Sequence, residues 1–546
     1  MSVTPLRKSA PGQTPAPFQS AVSELAANEM IFAVVGPAGS GTSEIAEALE
    51  ALLSKSGYDT TILKARAVIE GVAKRSGIPI PSSPLLVQST ALQDAGDRVR
   101  EGSKDNAAVA VGLISEIRTV RAAKQNASAS PGEPVEPNGE KRAFILDSLR
   151  HPQEVALLRR VYQEAFYLIG VFCYEDERLR RLQGRKFPDA SKLDIEKFME
   201  RDENAPEAHG QKVSDTFHLA DYFVDNTVNR FKQVGTKEEA NPEWDVPEQL
   251  GRLVDILTHA RIVRPRTAEE GMFHAYGAGM RSSCLSRQVG AALLDRTGSL
   301  VATGTNEVPR AGGGFYGGEL LADPHSDLEA EHDFRCFVHN GYCSNTRQQN
   351  EIIRDLFSKI PELAGIGMTN DLLKRIRKTR IGQLIEFSRA VHAEMGALMS
   401  AARSGAKTGE TRLYVTAFPC HNCARHIVSA GIVEVQYIEP YLKSQAIPLH
   451  GDAIVTDPKA WNPIDGATGK PVKPGNPNVL FHPFIGVSPR LYRRAFLKDR
   501  DLKNNLTGDI IRNPGPSEGC STTDTLRVSY AQVEAKLAEL NIEANT

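Results

Sequence analysis

Tryptophan is nearly absent from this chain, with 2 residues in 546, and cysteine is sparse, with 7. An odd number of scattered cysteines excludes a disulfide framework, so any that cluster read as metal ligands or catalysts. Charge of one sign is also lacking. Lys and Arg number 65 against 67 Asp and Glu, a formal net charge of -2, which argues against a protein built mainly to coat nucleic acid or an anionic membrane. No apolar run reaches membrane-spanning length, and the opening MSVTPLRKSAPGQTPAPFQS is polar, without the apolar stretch of a signal peptide. A cytoplasmic location is the resulting expectation.

What is present is alternation of strand and helix. MIFAVV reads as a buried strand, and SEIAEALEALLSKSG as a helix with Ile45, Leu49, Leu52 and Leu53 on one face. TTIL, AFILD ending in Asp147, and AFYLIGVFC follow as strands, the pattern of a parallel α/β sheet with flanking helices. NASASPGEPVEPNGEKR interrupts them as an exposed excursion rich in turn residues. The expected division is a disordered leader over 1–27, a first α/β domain over 28–232 and a polar linker over 233–249. A second α/β domain is expected over 250–500, with an insertion at 311–379, and a C-terminal extension over 501–546. In the second domain, QVGAALLDRTGSLVATGTNEV predicts a β-hairpin turning at Arg296-Thr297-Gly298. A helix is predicted to start near His392, followed by strand, loop, helix and strand from Thr411 to Tyr441.

Chemistry concentrates in that second half. His392-Ala393-Glu394 is followed one strand later by Pro419-Cys420-His421-Asn422-Cys423. Two thiolates at i and i+3 where a helix begins face one side, and the helix N-terminus favours their ionised form. With His392 they make three zinc ligands and leave one tetrahedral position for water, as a catalytic site requires. Glu394, two residues from a ligand, is placed to shuttle protons without binding the metal. The backbone N–H of Ala393 is a donor for a base carbonyl. A structural zinc would instead need a fourth ligand, for which His421 and His426 are the nearest candidates.

The H-x-E and P-C-x-x-C pair is the zinc deaminase pattern. SSCLSRQVGAALL, GTNEVPR, VHAEMGAL and PCHNCARHIVSAGI further resemble, in order and spacing, the deoxycytidylate deaminase branch of the cytidine deaminase superfamily. That resemblance implies a three-layer α/β/α domain, zinc, a cytosine nucleotide as substrate, and contact of Asn306 with its sugar. For the phosphate end the chain offers Tyr441, Lys443 and Ser444 after the motif region, and Arg490, Arg493 and Arg494 further on. His332, Cys336, His339 and Cys343 in the insertion are spaced as ligands for a second metal, and the family resemblance makes the insertion a candidate effector site.

The remaining motif is GPAGSGTS. Gly36, Gly39, Ser40 and Gly41 can cradle a phosphate with their backbone N–H groups. Ser43 and Asp147 can meet Mg(2+), but Thr42 stands where a P-loop carries its lysine. LRRLQGRKF, with Arg180, Arg181 and Arg185, resembles the arginine-bearing lid of small-molecule kinases. A kinase-like P-loop domain lacking its catalytic cation points to nucleotide binding over phosphoryl transfer. Joined to a deoxycytidylate deaminase-like domain, it resembles the bacterial anti-phage dCTP deaminases. This implies conversion of dCTP, and dCMP, to deoxyuridine nucleotides as antiviral defence, with a homo-oligomer and a regulatory nucleotide or RNA as partners. The alternatives are a deaminase acting on cytosine or adenine within nucleic acid, which two tryptophans and no basic-aromatic tract support poorly, and a bifunctional nucleotide kinase-deaminase.

Overall fold

The computed structural model describes residues 25–235, 237–316, 333–440, 444–465, 467–498, 501–511, 525–540 and 542. The chain folds as two compact units, 1–265 together with 485–546, and 266–484.

In the first unit five parallel strands, β1 (Glu29–Val35), β2 (Asp59–Lys64), β3 (Arg142–Asp147), β4 (Phe166–Phe172) and β5 (Tyr222–Asp225), lie in the order β5-β4-β1-β3-β2. β1, in the middle, is buried along its whole length, as its unbroken apolar run requires. From β1 the chain first builds one side of the sheet, through β2 and β3, and later the other, through β4 and β5. The strand order therefore reverses at the C-terminal end of β1, where an open α/β sheet leaves its ligand crevice. Residues 36–41 occupy that place and lead into α1 (Thr42–Lys55), which buries Ile45, Ala46, Leu49 and Leu53. α2 (Leu85–Gly102) and α3 (Ala108–Lys124) follow β2 in the chain.

The segment expected as a linker is structured. β6 (Phe231–Val234) and β7 (Lys237–Ala240) pair as an antiparallel hairpin, and α4 (Val246–Leu257) begins soon after. Val246, Leu250, Leu253 and Leu257 are buried in one cluster with Leu49 and Leu53 of α1, so residues 250–265 belong to the first unit rather than the second. The helix is visible in the sequence, but an apolar stripe does not name the surface that buries it.

The C-terminal residues also return to the first unit. Strand Gly486–Val487 pairs antiparallel with β5, and helix Val528–Ala538 docks on α3. There the fully buried Arg121 bonds Glu29 at 2.8 Å and Glu534 at 2.5 Å, while Tyr530 and Tyr162 donate to the same two carboxylates. Ala26 bridges Leu526, which ties down the end of the expected leader; residues 1–24 lie outside the described residues.

The second unit has a mixed sheet. β8 (Gly290–Leu294), β9 (Leu300–Thr305), β10 (Arg412–Ala417), β11 (Glu434–Glu439), β12 (Ile454–Val455) and β13 (Val479–Pro483) run in the order β12-β13-β11-β10-β8-β9. β8 is antiparallel to β9 and β10, and the other pairs are parallel. Alternate residues face opposite layers. Leu413 and Val415 pack into a core with α6 (Ala393–Arg403) and α7 (His421–Ser429), whereas Tyr414 faces α5 (Thr267–Gly279). The result is the three-layer α/β/α arrangement expected. Gly304 lets α6 lie directly on β9, since a Cβ there would stand 2.0 Å from the Ala393 carbonyl oxygen.

Candidate active site

Close packing of α6 on β9 fixes what stands at the start of that helix. His392 occupies its N-cap, Ala393 its first turn, and Glu394 follows, 4% exposed. β10 delivers the chain to Phe418 and Pro419, after which Cys420 is the N-cap of α7 and Cys423 lies in its first turn. His392 Nδ1 is 3.3 Å from Cys420 Sγ and 3.4 Å from Cys423 Sγ. A tetrahedral zinc with sulfur at ~2.3 Å and nitrogen at ~2.1 Å sets its nitrogen and sulfur ligands about 3.6 Å apart. The three donors therefore fit zinc in type and spacing. They are the one group of three or more His, Cys, Asp or Glu donors within 4.8 Å of one another among the described residues.

Electrostatics prepare the same atoms. The Cys420 thiol is held down at about 4, first by its hydrogen bond with Cys423 and then by His392, while that shared bond pushes Cys423 upward. The pair thus holds a thiolate at the meeting point of two helix N-termini. His392 is raised, chiefly by its bond to Cys420. Burial raises the Glu394 carboxyl, whose side chain also lies within hydrogen-bond reach of Cys423.

These groups open into a cavity of about 220 Å³, lined also by Ala393, Asn306, Arg287 and Phe418. Asn306 accepts a bond from the Val289 N–H and donates to the Arg287 carbonyl, both at 2.7 Å. It pins the strand entry that forms the cavity wall, and its carboxamide retains one hydrogen and one lone pair. Ser444 is not part of that wall; its hydroxyl donates to the Pro419 carbonyl and so steadies the approach to Cys420. Tyr441 and Lys443 lie outside the described residues. Arg490, Arg493 and Arg494 belong to the first unit, where Arg490 meets Asp221 and Arg494 meets Glu164. His421 and His426 do not join the donor set; His421 Nε2 lies 3.7 Å from the Glu386 carboxylate, and His426 Nδ1 is hydrogen-bonded to the Asn422 carbonyl. Nor do Cys336, His339 and Cys343 make a second group of metal-ligand spacing; His332 lies outside the described residues.

Sequence reasoning missed Arg287, Asn345 and Ser388 in the cavity wall. Arg287 follows Ser286 immediately before β8, so its place at the sheet's edge was legible. Asn345 comes from the insertion, through helix Ser344–Lys359, and no spacing rule connects it to His392.

A histidine and two cysteines at the N-termini of adjacent helices, with a buried carboxylate beside them, define a metal-dependent deaminase of nucleobases. The profile of the cytidine and deoxycytidylate deaminase zinc-binding region matches residues 265–439. Over 172 residues the chain is 30% identical to the deoxycytidylate deaminase of Enterobacteria phage T2, covering 31% of this chain and 79% of that one. With the phage T4 deoxycytidylate deaminase the identity is 29% over 173 residues, covering 31% and 77%. The dCMP deaminase of cyanophage S-TIM5 aligns over 40% of this chain and 99% of its own, at 18% identity and a TM-score of 0.20. Through its second unit, the chain belongs to the deoxycytidylate deaminase family.

In the first unit the loop after β1 forms as its sequence requires. Gly39 and Gly41 both take φ near +85°, and Ser43 donates to Asp147 at 2.7 Å. Gly41, Thr42 and Ser43 open α1, where the first N–H groups have no partner within the helix. The Gly36 carbonyl accepts a bond from Arg150, the Ala38 N–H donates to Asp202 at 2.7 Å, and the Ser40 N–H donates to the Pro37 carbonyl at 3.0 Å, so Ser40 does not offer its N–H to a phosphate as expected. Arg181 is spent on the carbonyls of Asn226 and Thr227, Arg185 pairs with Glu238, and Arg180 with Glu177. No helix among the described residues is long and apolar enough to cross a membrane.

Proposed function

We propose that the protein hydrolytically deaminates free deoxycytidine nucleotides, dCTP as well as dCMP, to the corresponding deoxyuridine nucleotides, and that in a bacterial cell this depletes dCTP during phage infection. The observation that carries the chemistry is the His392, Cys420 and Cys423 donor set with Glu394 buried against it. Zinc held there would act as a Lewis acid that makes water nucleophilic at neutral pH. Glu394 takes a proton from the attacking water as the C4–O bond forms and gives one to ring nitrogen N3. It then takes the remaining proton from the new C4 hydroxyl and passes it to the exocyclic amine, which leaves as ammonia as the C4–N bond breaks and the C4 carbonyl forms. Its raised pKa, caused by burial, suits a group that must both accept and return protons. On this reading the Ala393 N–H holds the base carbonyl and the free positions of the Asn306 carboxamide meet the sugar.

A panel of dCTP, dCMP, CTP and a cytosine-containing oligonucleotide, assayed for ammonia release, tests this reading. Turnover of dCTP and dCMP is expected. Product from the oligonucleotide alone would replace it with nucleic-acid editing.

For the first unit the reading is a phosphate cradle that binds a nucleotide without turning it over. The N–H groups at the start of α1, which have no partner within the helix, support it, as does the hydroxyl-carboxylate pair Ser43 and Asp147 at 2.7 Å, a donor set of oxygens suited to Mg(2+). Nucleotide binding without ATP hydrolysis is the expected result, and turnover that depends on Ser43 and Asp147 would favour a bifunctional enzyme. A homo-oligomer and a regulatory RNA are carried only by the resemblance to anti-phage deaminases.

A further inference from the structure

Within the first unit a cavity of about 480 Å³ opens beside the loop that follows β1, a size within the ordinary range for a small-molecule site. Its wall includes Gly39, Gly41, Thr42 and Ser43, and also two glutamines far from them in sequence, Gln93 on α2 and Gln211. Gln93 is 4% exposed and Gln211 8%. Gln93 Nε2 donates to Gln211 Oε1 at 3.2 Å, and Gln93 Oε1, buried, has no hydrogen-bond partner. A buried carbonyl left unpaired is costly, and natural proteins keep few without a use. Beside it the Gln211 amide nitrogen makes no hydrogen bond among the described residues. The two carboxamides therefore hold one acceptor and one donor side by side, and exchanging O and N on both preserves that pattern.

Charge in the same wall is divided unequally. Arg150 is bound to Asp202 and the Gly36 carbonyl, Arg66 to Glu70, and Arg185 to Glu238. Lys186, like Lys64 in the same wall, makes no ion pair or hydrogen bond among the described residues, and it lies close enough to Arg150, Arg66, Asp202 and Asp147 to feel all four. Its ammonium is lowered, first by the protein packed around its otherwise exposed side chain and then by Arg150 and Arg66, with Asp202 and Asp147 opposing them.

We propose that this cavity is a nucleotide site in which the Gln93–Gln211 pair reads the donor-acceptor edge of the base while Lys186 supplies the cation that Thr42 does not. The inference rests on the reading of the loop as a phosphate cradle. Every nucleobase carries a hydrogen-bond donor next to an acceptor on its pairing edge, and reading such an edge by hydrogen bonds is how enzymes recognise an unpaired base. The site is separate from the deaminase cavity, so a nucleotide that is not a substrate can occupy it.

Calorimetric titration of the full-length protein, with Mg(2+) present, separates the parts. The probes are inorganic tripolyphosphate, ATP, GTP, UTP and dTTP, none of which carries cytosine. At least one nucleotide is expected to bind tenfold or more tighter than tripolyphosphate, as one good bidentate edge contact supplies. Gln93→Leu should bring that nucleotide back to the tripolyphosphate affinity and leave tripolyphosphate itself unchanged. Should Gln93→Leu fail to fold by circular dichroism, Gln211→Leu reads the same pair from its other member. Lys186→Met, at an exposed position, should weaken both kinds of ligand about equally. Nucleotide binding unaltered by either glutamine variant, or no preference of any nucleotide over tripolyphosphate, overturns the base-reading site. Binding of both ligand kinds unaltered by Lys186→Met overturns the cation assignment. Failure of every probe to bind would instead remove the phosphate cradle beneath it. Ammonia release from dCMP by the same preparations reports the deaminase reading independently.

Discussion

The two units use the same device, a helix N-terminus facing a cavity, and fill it in opposite ways. In the second unit three residues within a few positions of two helix starts supply every donor of the metal set, and the buried carboxylate of Glu394 stands two residues from one of them. In the first unit the loop and the start of α1 supply backbone N–H groups and the Ser43 hydroxyl, and the other side chains around them arrive from α2, from residues near 150 and from residues near 186. A soft-donor metal site is a short-range object that tolerates no substitution of its ligands. A phosphate or base can be held by many geometries, so its charges are free to come from anywhere in the fold.

The largest effect should follow from breaking the short-range set. Cys423→Ala is expected to lose both zinc, measured by metal analysis as a fall well below one per chain, and deamination. Zinc retained at one per chain in that variant would remove Cys423 from the metal set. Next, Glu394→Ala should keep zinc near one per chain and lose roughly 10²–10⁴-fold in deamination rate, the span of a general acid-base group. Residual activity near that of the parent would take the proton shuttle away from Glu394.

The first unit should respond through stability instead. Glu534→Ala leaves Arg121 buried with a single carboxylate partner and should cost about 3–5 kcal/mol, read as a lower melting temperature or denaturant midpoint. A melt unchanged from the parent would mean that helix Val528–Ala538 does not hold the unit together. The smallest effect concerns pH. For Glu434, burial alone would raise the carboxyl, but hydrogen bonds from His482 and Gln436 and the charge of Arg412 outweigh it and set the net shift below the ordinary 4.5. A carboxyl lowered on folding contributes stability above its unfolded pKa and loses it as pH falls through the folded one. The gap in melting temperature between the parent and Glu434→Gln should thus be full above the ordinary carboxyl value of 4.5 and narrow as pH falls below it. Because zinc release at low pH affects both proteins, the difference between them is the quantity to follow.

Sequence and structure part company at identifiable places. The grouping of His392, Glu394, Cys420 and Cys423 was legible because donor, helix start and neighbouring carboxylate lie within single turns of backbone. The strands from β1 to β5 were legible because buried parallel strands are unbroken apolar runs. The burial of α4 in the first unit, the return of residues 485–546 to it, and the pairing of Ala26 with Leu526 were not, since amphipathic and short extended segments carry no label for their partners. Ser444 shows the same limit at the scale of one residue. Its hydroxyl was expected at the substrate and is used instead on the Pro419 carbonyl, because a polar side chain satisfies the nearest backbone group that the fold presents.

The sequence by itself therefore determined the His392, Cys420 and Cys423 donor group, the carboxylate beside it and the order of strand and helix, all properties set by residues within a few positions of each other. Only the tertiary structure decided which helix joins which core, that Arg287 and Asn345 share a wall with His392, and that Gln93 and Lys186 stand beside Ser43. Those are contacts between segments far apart in the chain. They depend on how sheets and helices close on one another, which local spacing cannot specify.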